Sequence, residues 1–223
     1  MIEHIHLQDC HSTQDILKEQ LQDPLTVRHV LVSCEKQTSG RGRGDSTWTS
    51  MPGTLCFSLG LAPNPELSFT ALEISVLIAR FFEAKSKNLK LKWPNDLWND
   101  ENKKCCGILV QIQSSYALVG VGLNLFSESP EFGGVYPGGF EFDKKLWARD
   151  LGNFILTHRY FGKMDLKRDW EERCLHLNHK VRITEGTEVS EGLFQGLGTH
   201  GEALLANGEK VTRLYNGSLV PLG

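Results

Sequence analysis

No apolar run in this 223-residue chain approaches the ~18 residues that a membrane-spanning helix needs. The opening residues, Met1-Ile2-Glu3-His4-Ile5-His6, carry an acid and no apolar core, unlike a signal peptide. Positive charge is not in excess. Lys plus Arg number 24 against 27 Asp plus Glu, a net charge of −3, so no global basic field points to nucleic acid. None of the six cysteines forms a Cys-x-x-Cys pair, so reduced thiols in a cytoplasmic protein are expected rather than a disulfide framework. Cys105 and Cys106 are adjacent, a poor spacing for shared zinc. His4, His6, Cys10 and His11 lack the regular paired spacing of a tetrahedral site. A serine nucleophile elbow, a His-Glu-x-x-His pair and a histidine triad signature are all missing, which turns attention away from covalent catalysis by the protein.

What is present reads as an ordinary globular chain, 40% hydrophobic and 23% charged, long enough for a large domain and a small one. Ser12 is a good N-cap for a helix in which Leu17 and Leu21 share a face. Asp23-Pro24 is expected to stop that helix. Val27 to Ser33 reads as a buried strand. In Gly53 to Leu61, Leu55, Phe57, Leu59 and Leu61 alternate with Thr54, Cys56, Ser58 and Gly60, as in a half-buried strand. A long helix over Glu66 to Lys85 carries an apolar stripe of Phe69, Leu72, Val76, Ala79 and Phe82. Short strands follow at Leu89 to Lys92 and Asp96 to Trp98. Next comes a hairpin of Cys106 to Gln113 with Tyr116 to Gly122, then a loop over Phe126 to Phe142 and two helices, the first capped by Asp143. After His179 four short strands separated by glycines read as a small all-β domain of roughly 45 residues, too small to be self-sufficient. The expected domains are therefore 1–177 and 178–223.

Four clusters carry chemistry. In Gln37-Thr38-Ser39-Gly40-Arg41-Gly42-Arg43-Gly44-Asp45-Ser46-Thr47-Trp48, glycines permit close backbone approach, exposed amides can form an anion nest, and two arginines add forks that match carboxylate or phosphate. Trp48 adds a flat face for a ring. Alone, the segment also reads as a flexible basic loop. It is not a P-loop, because no Gly-Lys-Ser/Thr follows, and the strand after it argues against a dinucleotide fingerprint. In Lys92-Trp93-Pro94-Asn95-Asp96, the proline stiffens the chain and Asp96 offers a hard oxygen suited to magnesium; a plain Asn-Asp turn is the alternative. In Lys103-Lys104-Cys105-Cys106-Gly107-Ile108-Leu109-Val110, a lysine beside a strand glycine can neutralise developing charge, or simply mark a charged hairpin tip. In Val119-Gly120-Val121-Gly122-Leu123-Asn124-Leu125, glycines clear room and Asn124 offers an amide.

The ordered set Ser12-Thr13, the glycine–arginine loop with Trp48, and the three later clusters resembles the biotin protein ligases from about residue 9 to 125. Asn178 to Leu205 resembles the small SH3-like domain of that family. The resemblance implies an α+β fold: a mixed sheet with flanking helices of the class II synthetase-like biotin/lipoate ligase type, plus a C-terminal SH3-like β-barrel. It implies an enzyme that makes biotinyl-5′-AMP from biotin and ATP with Mg2+, then transfers biotin to one lysine of a biotin carboxyl carrier domain of acetyl-CoA carboxylase or another biotin-dependent carboxylase. By position, Ser12, Thr13, Gln37 and Arg41 would read biotin, with Gly40 and Gly107 shaping its pocket. Arg43 would hold the adenylate phosphate and the biotin carboxylate region, Trp48 would stack on adenine, and Lys104 would contact the reacting carboxyl and phosphate oxygens. Asn124 would face the adenylate. Lys92, Asn95 and Asp96 would support the ATP end, with Asp96 toward the metal.

One departure is Gly44-Asp45-Ser46-Thr47, where the family usually carries further positive charge; it puts the phosphate grip of that segment in question. The chain starts almost at the catalytic part, resembling the enzyme-only type without a DNA-binding domain. A homodimer is left open. Two rival readings are a lipoate-protein ligase, which shares the fold family but lacks this combination of motifs, and a non-catalytic nucleic-acid binder, disfavoured by the acidic net charge.

Overall fold

The computed structural model describes residues 2–21, 29–44, 46–160 and 162–222. The helix stop at Asp23-Pro24, the strand start at Val27 and the acid Asp45 lie outside the described residues.

Strand β1 (Glu3–Cys10) leads to helix α1 (Thr13–Gln20), β2 (Val30–Gln37), and the two-residue strands β3 (Gly40–Arg41) and β4 (Thr47–Trp48). Then come β5 (Thr54–Leu61), α2 (Phe69–Glu83), β6 (Lys90–Lys92), β7 (Asp96–Trp98), β8 (Lys104–Gln113) and β9 (Tyr116–Asn124). Seven of these strands form one sheet in the order β1-β2-β5-β9-β8-β7-β6. β1 and β2 run parallel and the other neighbours antiparallel, which makes the sheet mixed. Leu17 and Leu21 of α1 pack with Val30, Val32, Tyr116 and Leu118 on one face. The other face carries Leu55, Phe57, Leu59, Val119 and Val121, packed under α2 and α3 (Lys144–Thr157). Helix α2 buries the expected stripe and most of its remaining surface too.

β5 corrects one expectation. It is buried along all eight residues rather than on alternate ones. The strand is central, so the face with Thr54, Cys56, Ser58 and Gly60 is also covered; a Cβ on Gly60 would meet Leu21 of α1 at 2.5 Å. The N-terminal β1, an edge strand, was not expected.

Helix α4 (Lys163–Glu172) leads to the second sheet: β10 (Lys180–Glu185), β11 (Glu188–Leu197), β12 (Ala203–Asn207), β13 (Lys210–Leu214) and β14 (Ser218–Pro221). Its order, β13-β12-β11-β10-β14, leaves β13 and β14 as edges. The C-terminal part is therefore an open antiparallel sheet that fits an SH3-like domain, not the closed barrel expected. Val181, Ile183, Phe194, Leu197, Leu205 and Leu219 join the same apolar cluster as α2 and the main sheet. Trp93 Nε1 donates to Gly201 O at 3.3 Å, and Leu91 N to Arg173 O at 2.8 Å, tying β6 and the turn after it to the C-terminal third.

Candidate active site

One sheet face builds the site. The register places Ser58 opposite Gly120 and Cys56 opposite Gly122 across β5 and β9, and Gly122 opposite Gly107 across β9 and β8. Asp96 of β7 pairs with Gly107. Small residues thus line up across three strands, with Asp96 at the edge on a fourth, and the lack of bulky side chains leaves a trough. The start of α1 closes one end. The hairpin of β3 and β4, with Gly40 opposite Trp48, folds over it. The half-open cavity measures about 270 Å³.

The two ends of this cavity differ in chemistry. At one end Ser12, the N-cap of α1, accepts from Gln14 N at 3.2 Å. Gln37 Oε1 accepts from Thr13 N at 2.8 Å and from Thr13 Oγ1 at 3.1 Å. Ser58, fully buried, lies 2.8 Å from Thr13 Oγ1. This end holds uncharged donors and acceptors.

The other end is cationic. Lys104 Nζ sits 2.7 Å from Asp96 Oδ1. Arg43 donates to Asn95 Oδ1 at 3.4 Å and to the carbonyl of Gly217. Asn95 is itself held against β8: its Nδ2 donates to Ile108 O, and Ile108 N donates to its carbonyl at 3.0 Å. Burial lowers the pKa of Arg43, an effect that Asp96 opposes. Burial likewise lowers the pKa of Lys92; Asp96 opposes this, while Lys104 and Arg43 add to it. Among the described residues, three cations against one carboxylate make a local positive field suited to a polyphosphate, in a chain whose net charge is negative.

Trp48 lies between the two ends, its ring across the floor. A Cβ on Gly122 would come within 2.2 Å of Trp48 Cε2, and one on Gly107 within 3.0 Å of Cζ3. Gly40 is required for the same reason: a Cβ there would stand 2.4 Å from Trp48 O. Trp48 Nε1 is buried and has no hydrogen-bond partner among the described residues.

Most residues singled out in the sequence meet here. Ser12, Thr13, Gln37, Arg41, Arg43, Trp48, Asn95, Asp96, Lys104 and Gly107 all line the cavity. Arg41 is also ion-paired with Asp15 at 2.9 Å. Gly40 supports the hairpin behind Trp48 rather than the wall. Lys92 lies behind the wall, its Nζ 4.9 Å from the centre of the Trp98 ring. Asn124 is elsewhere: it is 1% exposed, and its Oδ1 accepts from Thr54 Oγ1 at 2.8 Å. Sequence reasoning missed Gln14, Ser58 and Ser218 as wall residues. For Ser58 the available signal was a polar residue in a strand of apolar neighbours. For Ser218 there was none, because it arrives from the far C-terminal sheet.

A family model described as the biotin/lipoate A/B protein ligase family matches residues 7–124. The bifunctional ligase/repressor BirA of Bacillus spizizenii is 26% identical over 247 residues, covering 98% of this chain and 74% of the relative. The biotin–[acetyl-CoA-carboxylase] ligase of Paracoccus denitrificans is 26% identical over 200 residues, covering 78% of this chain and 82% of the relative. Among solved structures, the biotin protein ligase of Aquifex aeolicus in complex with biotin and ATP superposes with a TM-score of 0.81 at 26% identity, covering 99% of each chain. Since the matched segment takes in more than half of the chain, the protein belongs to the biotin/lipoate A/B protein ligase family.

Proposed function

We propose that this chain is an ATP-dependent biotin protein ligase, which activates biotin as biotinyl-5′-AMP and transfers it to a lysine of a biotin carboxyl carrier domain. The carrying observation is the cavity's division into an uncharged hydrogen-bonding end and a cationic end. Biotin has the same division, a ureido ring at one end and a carboxylate at the other. The relative from Paracoccus denitrificans is named for this reaction, and the Aquifex aeolicus structure holds biotin and ATP.

The ureido ring lies against Ser12, Thr13 and Gln37, next to Arg41. The carboxylate points to Lys104 and Arg43. In the first step a carboxylate oxygen attacks the α-phosphorus of ATP, the bond to the bridging oxygen breaks, and pyrophosphate leaves. Lys104 and Arg43 offset the charge that accumulates on the phosphoryl oxygens, an electrostatic contribution of the oxyanion-hole kind. In the second step the unprotonated amine of the carrier lysine attacks the acyl carbon, AMP leaves, and the lysine loses a proton. Trp48 moves off the glycine floor and stacks on adenine. Asn95 orients Arg43, and Lys92 adds to the field behind the wall.

Asp96 fits a magnesium ion, since this metal commonly takes one or two carboxylates and completes its shell with phosphate oxygens and water. When bound, the metal neutralises phosphate charge. Among the described residues no group of three His, Cys, Asp or Glu side chains converges; Asp96 would hold the metal together with phosphate oxygens and water.

The C-terminal unit, from residue 178 onward, completes the cationic end through Gly217 and Ser218. The partner is a carrier domain of acetyl-CoA carboxylase or another biotin-dependent carboxylase, met in the cytoplasm. Six free cysteines suit that reducing compartment. The test is incubation with biotin, ATP-Mg and an isolated carrier domain, followed by mass spectrometry. Biotin on the carrier lysine is expected. Lipoyl transfer without biotinyl transfer would replace this reading with the lipoate one.

A further inference from the structure

Behind the uncharged end runs a chain of hydrogen bonds in which each proton has one place to go. Gln14, 4% exposed, donates from Nε2 to the carbonyl of Leu118 at 2.8 Å and to Gln111 Oε1 at 3.4 Å. A backbone carbonyl cannot donate, so the amide cannot be flipped, and Gln14 Oε1 is left as an acceptor. It receives the Ser58 hydroxyl hydrogen at 2.9 Å. Ser58 has no second hydrogen, so in its 2.8 Å contact with Thr13 Oγ1 it must accept. The Thr13 hydrogen is therefore held on the protein, by Ser58 or by Gln37 Oε1 at 3.1 Å. What Thr13 offers the cavity is a lone pair. Gln37 is fixed the opposite way. Its Oε1 takes the Thr13 amide hydrogen at 2.8 Å, so its Nε2 is a donor; one of its two hydrogens goes to the Cys56 side chain, and the other is left for the cavity.

We propose that Gln14 and Ser58 are specificity-determining residues that set this polarity and thereby select a cyclic urea. An acceptor beside a donor matches the N–H and C=O of a ureido group. A ring lacking N–H and C=O gains nothing from either. The order is imposed from a backbone carbonyl of β9, across Gln14 and Ser58, two buried residues of the cavity wall. Gly120 makes room for it, since a Cβ there would stand 2.8 Å from Gln14 Oε1. This inference rests on the biotin reading above and adds the source of its selectivity within a family that also handles lipoate.

The test uses the full chain with Gln14→Met and Ser58→Ala, each checked by a melting curve and titrated calorimetrically with four probes. Biotin and desthiobiotin keep the ureido ring; octanoate and ATP do not have it. With Gln14 replaced, the Ser58 hydrogen is free to turn to Thr13 Oγ1 and take one of its two lone pairs; with Ser58 replaced, the Thr13 hydrogen loses its nearer acceptor and keeps only Gln37 Oε1 at 3.1 Å, so it is free to turn into the cavity. The expected result is a roughly 5- to 100-fold rise in Kd for biotin and desthiobiotin together, the range for one disturbed buried hydrogen bond. Octanoate and ATP stay within about twofold, less than 0.5 kcal/mol. Unchanged biotin affinity in either folded variant, or an equal loss for all four probes, overturns the inference. A wild-type protein that takes lipoate and not biotin overturns the underlying reading instead, and is recognised without any variant.

Discussion

Gly122→Ala puts the most direct strain on the site. The added methyl would lie 2.2 Å from Trp48 Cε2 and 2.5 Å from Nε1. Carbon atoms in contact settle at about 3.5–4.0 Å, so something must move by more than an ångström. β9 is held by ladders on both sides, with Gly122 opposite Cys56 on one neighbour and Gly107 on the other. Trp48 sits in a hairpin with two residue pairs, Gly40 with Trp48 and Arg41 with Thr47. The hairpin yields. Overpacking of this kind costs about 1–3 kcal/mol. At about 2–4 °C per kcal/mol for a chain of this length, the melting temperature falls by roughly 2–12 °C. The displaced indole also meets water. Its emission, isolated from the other four tryptophans by subtracting the spectrum of the same variant carrying Trp48→Phe, shifts to the red of the wild-type difference spectrum. An unshifted Trp48 emission together with an unchanged melting temperature would refute the placement of the ring on Gly122.

Three further outcomes follow from the same geometry. Lys104→Ala slows adenylation while leaving biotin affinity nearly intact, because its charge acts mostly in the transition state; a loss of ~2–4 kcal/mol is the scale, read from single-turnover rates. An unchanged rate would pass the role to Lys92 or Arg43. Trp48→Ala weakens ATP binding by about ten- to a hundredfold on the stacking scale of 1–3 kcal/mol per base, with biotin affinity held; equal losses for both ligands would remove Trp48 from the adenine site. His176 is 1% exposed, neither ring nitrogen has a partner among the described residues, and burial and the nearby Lys92 and His179 charges lower its pKa from 6.5 to about 3. The unfolded chain therefore binds the extra proton between pH 6.5 and about 3, so stability is full above pH 6.5 and falls on acidification, by up to ~1.4 kcal/mol per pH unit. His176→Phe, set among Trp170 and Phe194, flattens that limb in urea titrations at pH 7 and pH 5; an identical slope in wild type and variant would contradict it.

The legible part of the molecule was whatever depends on neighbours in sequence. The Ser12 cap, the α2 stripe and the Asp143 cap are local, and the structure contains all three. β1 escaped because its alternation of His4, Ile5, His6 and Leu7 is short and half polar, as an edge strand permits. β14, four residues long, carries a proline and pairs with β10 from 34 or more residues away. The cationic cluster was named residue by residue, yet its convergence depends on a register that places Asp96 against Gly107. Burial of β5 on both faces depends on where α1 packs, and periodicity within the strand does not encode that. Ser58 and Gln14 meet across 44 residues, and no spacing rule connects them. Asn124 resembled a ligand-facing amide by its place in a motif, but the register sets it against Thr54, which takes up its oxygen.

The central claim is that this cavity drives chemistry on biotin. Pyrophosphate exchange into ATP, followed with wild-type protein in magnesium buffer and with biotin, lipoate or neither added, tests it most directly. Exchange that depends on biotin, a background rate with lipoate, and biotinyl-5′-AMP recoverable from the protein are the expected results. Exchange that is absent with biotin, or equal with lipoate, would contradict it.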